Sequence, residues 1–263
     1  MLNPTLVIAR KEIVDSLRDV RSVISSLMYA LMGPFVVMLV SMGTRVSSNP
    51  EAAGSVLPAM MSVFALVAAF VGGMNVAMDT IAGERERRSL LPLLLNPILR
   101  LDVVLGKWLA ISFFSVAGLA VNLLGFDVVI ANSGLHRTSD TTRLLLTIAL
   151  GIIPLSLFAS ALQLLISAAC RGVKEAQTYL SMVVFAPMGV GMFLVFMPKA
   201  ARAWTHFVPL VGQQMQLELL MKGRDVPLLQ PIILGWLTTM LAAGVLLAAA
   251  NRMQRDEIIY GAN

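Results

Sequence analysis

The densest group of reactive side chains lies in the stretch DTIAGERERRSLLPLLLNPILRLDVVLGK, from Asp79 to Lys107. Its first turn alternates acids and bases without net charge: Asp79, Glu84 and Glu86 against Arg85, Arg87 and Arg88. Alternating charges suit directed ion pairing with a protein more than general attraction to anionic lipid. The stretch therefore predicts a handle for a soluble partner; a solvated turn followed by an interfacial helix is the alternative.

Other reactive residues are sparse and poorly placed for catalysis or metal binding. The single cysteine, Cys170, excludes an internal disulfide and a cysteine metal cage, and His136 and His206 have no zinc-site spacing. Gly106-Lys107 is followed by Trp108 and has no glycine five positions earlier, so the phosphate-binding loop of ATPases is missing. We predict no catalytic residues, no metal site and no cofactor in this chain.

The composition indicates whether the protein lies in water or in a lipid bilayer. Hydrophobic residues make up 57% of the 263 residues and charged residues 13%, and the mean hydropathy is +0.81. A soluble domain carries roughly 25% charged residues, so the chain is predicted to be an integral membrane protein. The net charge of +5 comes from scattered bases with few aromatic neighbours, which argues against nucleic-acid binding and fits lipid headgroups.

Six apolar runs reach the roughly 20 residues that a helix needs to cross a bilayer. The predicted fold is therefore an all-α membrane domain of six helices over residues 1–263, with a lead-in at 1–21, a charged connection at 79–102, for which the resemblance given below implies a coupling role, and a tail at 251–263. The predicted spans are 22–42, 57–78, 103–126, 144–169, 179–197 and 228–250. Pro187, Gly189 and Gly191 interrupt the fifth, and a broken or re-entrant segment is predicted from Trp204 to Met221.

The distribution of Lys and Arg predicts the orientation. Thirteen of the 20 bases fall in the N-terminus, the tail and the connections after spans 2 and 4, and seven fall on the opposite side. By the positive-inside rule, both termini are cytoplasmic. The N-terminus lacks a short apolar core with a small-residue cleavage site, so we expect no cleaved signal peptide.

Residues Pro4 to Val20 predict an amphipathic helix. Leu6, Val7, Ile13, Val14, Leu17 and Val20 fall on one helical arc, and Lys11, Glu12, Asp15, Arg18 and Asp19 fall opposite. Such a helix can lie in the headgroup plane; a short cytoplasmic lead-in helix is the alternative.

The fifteen acids all fall in the connections or at span ends. Ion-driven pumps keep ionisable groups in their bundle, so we expect the energy to enter from elsewhere. Asn75, Asn122 and Gln163 are predicted to form interhelical hydrogen bonds. Gly72, Gly73 and Gly118 are predicted to permit close approach of helices.

The leucine-rich part of the charged connection predicts a short helix. Ser89 is placed to cap it, and Pro92 falls in an early turn where a missing N–H costs little. Asn96-Pro97 is expected to end it, because a residue before proline disfavours helical geometry.

These motifs resemble the connection between the second and third spans in permeases of ABC-2 type exporters, especially the sodium-export branch. The resemblance is carried by G-E-R-E, a hydroxyl residue, a leucine-rich run, N-P and a closing G-K. ARKEIVDSLRDVRS, VKEAQTY and NRMQRDEII resemble further segments of that family, so the likeness covers nearly the whole chain. Leu91, where many relatives have an acid, and Arg87-Arg88 depart from the pattern and are expected to affect which ATPase is accepted.

The resemblance implies that two permeases, identical or different, form a pore and that each docks on a separate cytoplasmic ABC ATPase subunit, which binds ATP and Mg²⁺. Glu84 to Leu95 would be the first coupling helix and Arg171 to Gln177 the second contact. The implied ATPase-coupling residues are Gly83, Glu84, Arg85, Glu86, Arg87, Ser89, Leu90, Leu93, Leu94, Asn96, Pro97, Arg171, Lys174, Glu175 and Gln177. On this basis, Glu84→Arg is expected to leave membrane insertion intact and to uncouple the complex.

The substrate stays open at the level of sequence. The resemblance favours sodium or another cation, whereas a lipid, drug or peptide is the alternative, and no substrate-binding residues are assigned. A membrane scaffold that recruits a cytoplasmic protein without transport would need the same handle, and an intramembrane enzyme lacks a recognisable nucleophile, acid pair or metal cluster. The expected location is a bacterial or archaeal inner membrane.

Overall fold

A computed structural model describes residues 3–46, 50–87, 89, 99–133, 145–196 and 203–253, and no strand occurs among them. The chain begins with α1, where Asn3 Oδ1 accepts a hydrogen bond from the Thr5 amide and Pro4 takes the first helical position. The long helices are α1 (Pro4–Arg18), α2 (Val20–Val46), α3 (Pro50–Val71), α4 (Arg100–Ser133), α5 (Ile153–Ala169), α6 (Val173–Phe196), α7 (Val211–Met221) and α8 (Leu229–Met253).

Two of these helices have irregular neighbours. After a turn at Gly72 and Gly73, α3 continues as Met74–Ala77, a π-helical Met78–Gly83 and a last turn Glu84–Glu86, here called the α3 extension. A π-helical segment, Ile148–Ile152, leads into α5. The chain therefore stays helical beyond Met78, where the second span was predicted to end.

Six helices are long and apolar enough to cross a membrane, which confirms the predicted all-α fold with six spans. They are Val20–Gly43, Val56–Glu86, Arg100–Asn132, Leu145–Ala169, Val173–Leu194 and Leu229–Met253. The second is central, because 78% of its apolar stretch is buried, against 22% in the first and the fifth. The spans that surround it present apolar side chains outward, as lipid-facing helices do.

The predicted contacts between spans are confirmed. Asn75 Nδ2 donates to Ser25 Oγ at 2.8 Å, Asn122 Nδ2 donates to the Ala30 carbonyl at 2.8 Å, and Gln163 Nε2 donates to the Phe70 carbonyl. Each bond joins two different spans. An apolar helix thus gains a directional contact where packing alone would leave its rotation less well defined.

The glycines at the turn after α3 also act as predicted. A Cβ added at Gly73 would lie 2.5 Å from Ser115 Oγ, and one at Gly72 would lie 2.9 Å from the Phe114 carbonyl oxygen. A Cβ at Gly118 would lie 3.0 Å from the Gly72 Cα. The second and third spans can approach this closely only because these positions lack side chains.

The region around the fifth span differs in part from its prediction. Pro187 lies inside one continuous helix, α6, so the expected interruption of the span does not occur. Between α6 and α8 the chain forms a 3₁₀-helix, Ala203–Phe207, and then α7, which accords with a broken segment. The break lies at Leu210, which has a φ of 73° and donates its N–H to Gln213 Oε1 at 2.6 Å. Entry of this segment into the membrane stays a prediction.

Candidate functional site

A buried ion cluster lies where α1, the α3 extension and α4 meet. Lys107 is 0% exposed, and its ammonium group lies 3.0 Å from Glu12 Oε1 and 2.8 Å from Glu84 Oε2. The same ammonium donates a hydrogen bond to the Thr80 carbonyl at 2.7 Å. We call Lys107, Glu12 and Glu84 the charge cluster. The ammonium donates hydrogen bonds to Glu12 Oε1 and the Thr80 carbonyl and forms an ion pair with Glu84.

Close packing of α1 on α4 brings Glu12 to this cluster. A Cβ at Gly106 would lie 2.8 Å from the Ile8 side chain and 2.9 Å from the Thr5 carbonyl, so only glycine permits this approach. Thr5 Oγ1 also donates to Asp102 Oδ1 at 2.9 Å. The buried face of α1 comprises Thr5, Ile8, Ala9 and Glu12.

The two faces of α1 have different surroundings from those that the predicted arcs indicate. Leu6, Val7 and Leu17, from the predicted apolar arc, are exposed, as a helix in contact with lipid requires. Glu12, from the predicted polar arc, is turned toward the protein instead of toward water. A helix is present at Pro4–Arg18, and its amphipathic role and its position in the headgroup plane stay predictions.

Lys11 extends the cluster toward solvent. Its ammonium lies 3.4 Å from Glu12 Oε1 and 3.8 Å from Glu84 Oε1. Partial burial lowers the pKa of Lys11, but Glu12, Glu84 and Asp15 together outweigh it and hold that pKa above its ordinary value. Because the Lys11 side chain is 59% exposed, solvent screens these pairs and they add little to stability.

Arg85 and Glu86 connect this turn to the connection between α5 and α6. Arg85 donates to the carbonyls of Cys170 at 2.6 Å and Ala168 at 3.1 Å, and Glu86 Oε2 accepts from the Val173 amide at 2.9 Å. The Arg85 guanidinium thus satisfies the last carbonyl groups of α5, and the Glu86 carboxylate satisfies the first amide of α6. The two segments predicted to contact an ATPase are held together by adjacent side chains of one turn.

Among the described residues of the turn, Arg87 and Asp79 pair with each other at the surface. Arg87 forms an exposed ion pair with Asp79 at 2.8 Å, and this hydrogen bond raises the pKa of Arg87. Ser89 donates its backbone N–H to the Glu84 carbonyl at 2.9 Å, which continues the turn. Gly83 is needed here because an added Cβ would collide with the Asp79 carboxylate.

The connection between α5 and α6 presents an exposed polar surface. Arg171, Lys174 and Gln177 are exposed, and Glu175 Oε2 accepts from the Arg171 amide at 2.7 Å. Cys170 is buried beneath this surface, and burial, with the Glu175 carboxylate, raises the pKa of its thiol. The neighbouring thiol is therefore a poor nucleophile at neutral pH.

A polar cavity of about 510 Å³ adjoins the charge cluster. It lies between α1, the start of α2 and the α3 extension, and its walls include Glu12, Asp15, Asn75, Asp79 and Glu84. One side of the cluster thus borders a space large enough for water. The opposite side is enclosed by α4.

The structure adds a second consequence to the Glu84→Arg substitution. Glu84 is 8% exposed, so the substitution would place a guanidinium beside Lys107 and should destabilise the folded protein. Intact insertion and uncoupling of the complex stay predictions. The predicted coupling residues Leu90, Leu93, Leu94, Asn96 and Pro97 lie outside the described residues. Contact with an ATPase stays a prediction for all the coupling residues.

Sequence reasoning missed the charge cluster. Lys107 was counted among the bases of a connection, whereas it lies within α4, and Glu12 was assigned to a water-facing arc. The available signal was a lysine directly after glycine in the apolar run VVLGKWLAI. A base in such a position needs a buried acid as partner, but no local pattern indicates which acid.

Comparison with known proteins agrees with this architecture. A family model described as ABC-2 family transporter protein matches residues 6–231. The ABC transporter permease protein NatB of Bacillus subtilis (strain 168) is 37% identical over 146 residues, which cover 53% of this chain and 38% of that relative. The match thus spans well under two thirds of the curated relative. The family match extends over most of the chain and includes the charged turn and five complete spans, so this protein belongs to the ABC-2 family of transporter proteins as a membrane-spanning permease.

Proposed function

We propose that this chain is the permease subunit of an ATP-driven exporter and that it docks a separate cytoplasmic ATPase through segment 83–97 and the connection 171–177. The permease assignment follows from the family. The observation that carries the docking proposal is the pair of links made by Arg85 and Glu86, which join the two predicted contact segments. A partner that displaces one segment would necessarily displace the other.

The charged residues of this surface form a buried group and an exposed group, and the two groups suit different roles. Glu84 points inward to Lys107, whereas Arg171, Lys174 and Gln177 are exposed at the end of α5 and the start of α6. Exposed bases recruit a partner by steering and by rim contacts, and buried charges hold the geometry. We therefore assign recognition of the ATPase to the exposed residues and transmission to the paired ones.

The transported solute is proposed to be sodium or another cation, on the strength of the resemblance to the sodium-export branch. Asn122 and Gln163, which are buried inside the spans, are neutral amides. Amide and carbonyl oxygens can line a path for a partly dehydrated cation without binding it permanently. A second permease, identical or different, would complete the path, and a lipid, drug or peptide is the alternative cargo.

The test is a complex of the full chain with its cognate ABC ATPase in proteoliposomes. The double variant Arg171→Glu and Lys174→Glu should weaken the complex by about two- to fivefold for each exposed charge pair lost. Lys222→Glu with Arg224→Glu is the matched control, because both residues are exposed and are predicted to lie on the other side of the membrane.

The readouts are the dissociation constant, ATP hydrolysis and sodium flux. Equal binding by both double variants would contradict the docking surface. ATP-dependent flux of another cation, but not of sodium, would correct the cargo alone. Binding and hydrolysis without flux of any cation, lipid or peptide would indicate a scaffold and refute the exporter.

A further inference from the structure

The end of the protein opposite the charge cluster contains a group of buried amide side chains. Both α5 and α8 run from this end toward the charged turn. The Cys170 carbonyl beyond α5 accepts a hydrogen bond from Arg85, and the Met253 carbonyl at the end of α8 accepts one from Arg100. The predicted orientation makes the starts of these helices the non-cytoplasmic end, where the cargo of an exporter leaves.

Three elements meet at Gly151, which lies in the π-helical segment before α5. A Cβ added at Gly151 would lie 3.3 Å from Gln216 Oε1 of α7 and 3.4 Å from the Pro231 Cβ of α8. A Cβ at Gly212 would lie 2.7 Å from Leu234 Cδ1, so α7 stays close to α8 over a further turn. The polar side chains at this meeting point are Gln216, Gln213 one turn before it, Gln230 next to Pro231, and Thr147 one turn before Gly151. We call these four side chains the polar cluster.

The polar cluster is buried but incompletely paired. Thr147, Gln213 and Gln216 have no exposed surface. Five polar atoms of the cluster have no hydrogen-bond partner among the described residues: Thr147 Oγ1, Gln213 Nε2, Gln216 Nε2, Gln216 Oε1 and Gln230 Oε1. Folded proteins leave few buried polar atoms unpaired, because burial without a partner is costly. Five such atoms in one cluster therefore indicate a bound polar ligand.

The unpaired atoms indicate that this ligand is uncharged. The Leu210 amide donates to Gln213 Oε1 at 2.6 Å, which leaves Gln213 Nε2 as a fixed donor that would repel a cation. Gln216 Oε1 and Gln230 Oε1 are acceptors that would repel an anion. None of the four side chains carries a charge that would outweigh this repulsion. Water both donates and accepts, so it matches both kinds of atom.

The backbone beside the polar cluster also suits a hydrated interior. The positive φ of Leu210 separates α7 from the 3₁₀-helix Ala203–Phe207. At membrane depth, irregular backbone occurs where it is buried in protein or lines a water-filled cavity. The π-helical segment Ile148–Ile152 is a second irregular element at the same place, and such segments are frequent at functional sites.

We propose that the polar cluster binds water inside the protein and that this water hydrates a cation as it leaves the path. The binding of water rests on the unpaired atoms, whereas its role rests on the proposed export of a cation. Bound water satisfies buried polar groups nearly as well as a direct hydrogen bond does. Neutral amides would hold this water without holding the cation itself.

Radiolytic hydroxyl labelling of the full chain tests the water site without knowledge of the cargo. Radicals formed from bound water modify the side chains beside it, even where bulk solvent does not reach. Leu234 borders the cluster through α7, and Leu66 lies in an apolar core; neither has any exposed surface. In the wild-type chain we expect labelling of Leu234 and none of Leu66.

The decisive variant is Gln216→Leu, which keeps a side chain of similar size and removes two unpaired atoms. Leu234 should lose most of its labelling, and cation flux in the ATPase complex should fall about 2- to 10-fold, as for one lost hydrogen bond. Thr238→Val is the matched control on α8. Thr238 is equally buried, but its hydroxyl already donates to the Leu234 carbonyl at 2.8 Å, so labelling and flux should not change.

The two readouts separate this proposal from the proposed function. Equal labelling of Leu234 and Leu66 in the wild-type chain overturns the water site and needs no variant. Loss of labelling in Gln216→Leu with wild-type cation flux overturns the hydrating role. Labelled Leu234 in a complex that moves no cation supports the water site and refutes the proposed cargo. If Gln216→Leu folds poorly, Gln230→Leu takes its place, and undiminished labelling of Leu234 there overturns the water site.

Discussion

Replacing Lys107 by methionine removes one charge from the centre of the protein and keeps a side chain of similar length. The ammonium has no exposed surface, and it neutralises two carboxylates at 2.8 and 3.0 Å. In Lys107→Met, Glu12 and Glu84 face each other across an apolar group, and only the half-exposed Lys11 and the adjoining polar cavity remain beside them. The Thr80 carbonyl loses a hydrogen bond at the same time.

The expected cost follows from this burial. Removing one partner of a buried ion pair typically destabilises a protein by about 3–5 kcal/mol, because the remaining charge is left without compensation. At roughly 2–4 °C per kcal/mol for a chain of this size, the unfolding midpoint should fall by about 6–20 °C. An exposed ion pair such as Lys11 with Asp15 should contribute only about 0–1 kcal/mol, so Asp15→Asn serves as the control.

Cys170 provides the assay. It is the only cysteine of the chain and is 1% exposed, so a thiol-reactive dye should report thermal unfolding in detergent without further labelling. The triple variant Lys107→Met, Glu12→Gln and Glu84→Gln removes every charge of the cluster and should recover most of the lost stability. A Lys107→Met midpoint equal to that of Asp15→Asn, or a triple variant less stable than the single one, would refute the reasoning.

Three further substitutions test the packing around the site. Gly106→Ala should loosen α1 at a cost of about 1–3 kcal/mol, measured as faster tryptic cleavage of that helix in the folded protein. Arg85→Ala should free the end of α5 and raise the rate of maleimide reaction at Cys170 about tenfold or more. The reason is that hydrogen bonds from a charged donor contribute about 1.5–3 kcal/mol. An unchanged rate would mean that the carbonyl contacts are dispensable. On α8, away from the charge cluster, Gly235→Ala would make a Cβ collide with the Leu150 carbonyl oxygen and should lower the unfolding midpoint, whereas Gly244→Ala, with open space around it, should not.

The fold was predictable because bilayer thickness and backbone hydrogen bonding leave few solutions. Six apolar runs of sufficient length indicated six helices, and the polar groups Asn75, Asn122 and Gln163 indicated contacts between them. Pro187 was over-interpreted, because the expected break does not occur in α6. Helix interruption by proline depends on neighbours that the sequence does not show.

The contacts around the charged turn could not be predicted from the sequence. The alternating charges of Gly83 to Arg87 predict directed pairing with a soluble partner, which stays a prediction, whereas the partners observed are this chain's own groups. Glu12 and Lys107 are 95 residues apart, and Arg85 and Cys170 are 85 apart. No local periodicity encodes such pairings, since they depend on how the helices cross.

The pairing within the turn has a consequence for partner choice. Glu84 bonds to Lys107, Arg85 to carbonyls of α5, Glu86 to an amide of α6 and Arg87 to Asp79, so each charge of the G-E-R-E-R motif has a partner inside this chain. Such a motif preserves the shape of the turn, and among its charged residues only Glu86 and Arg87 are exposed. We expect exposed side chains to discriminate between ATPases, because they can vary without breaking the fold. Exchanging the exposed side chains between related permeases should transfer ATPase preference, whereas exchanging the buried Glu84 should change stability.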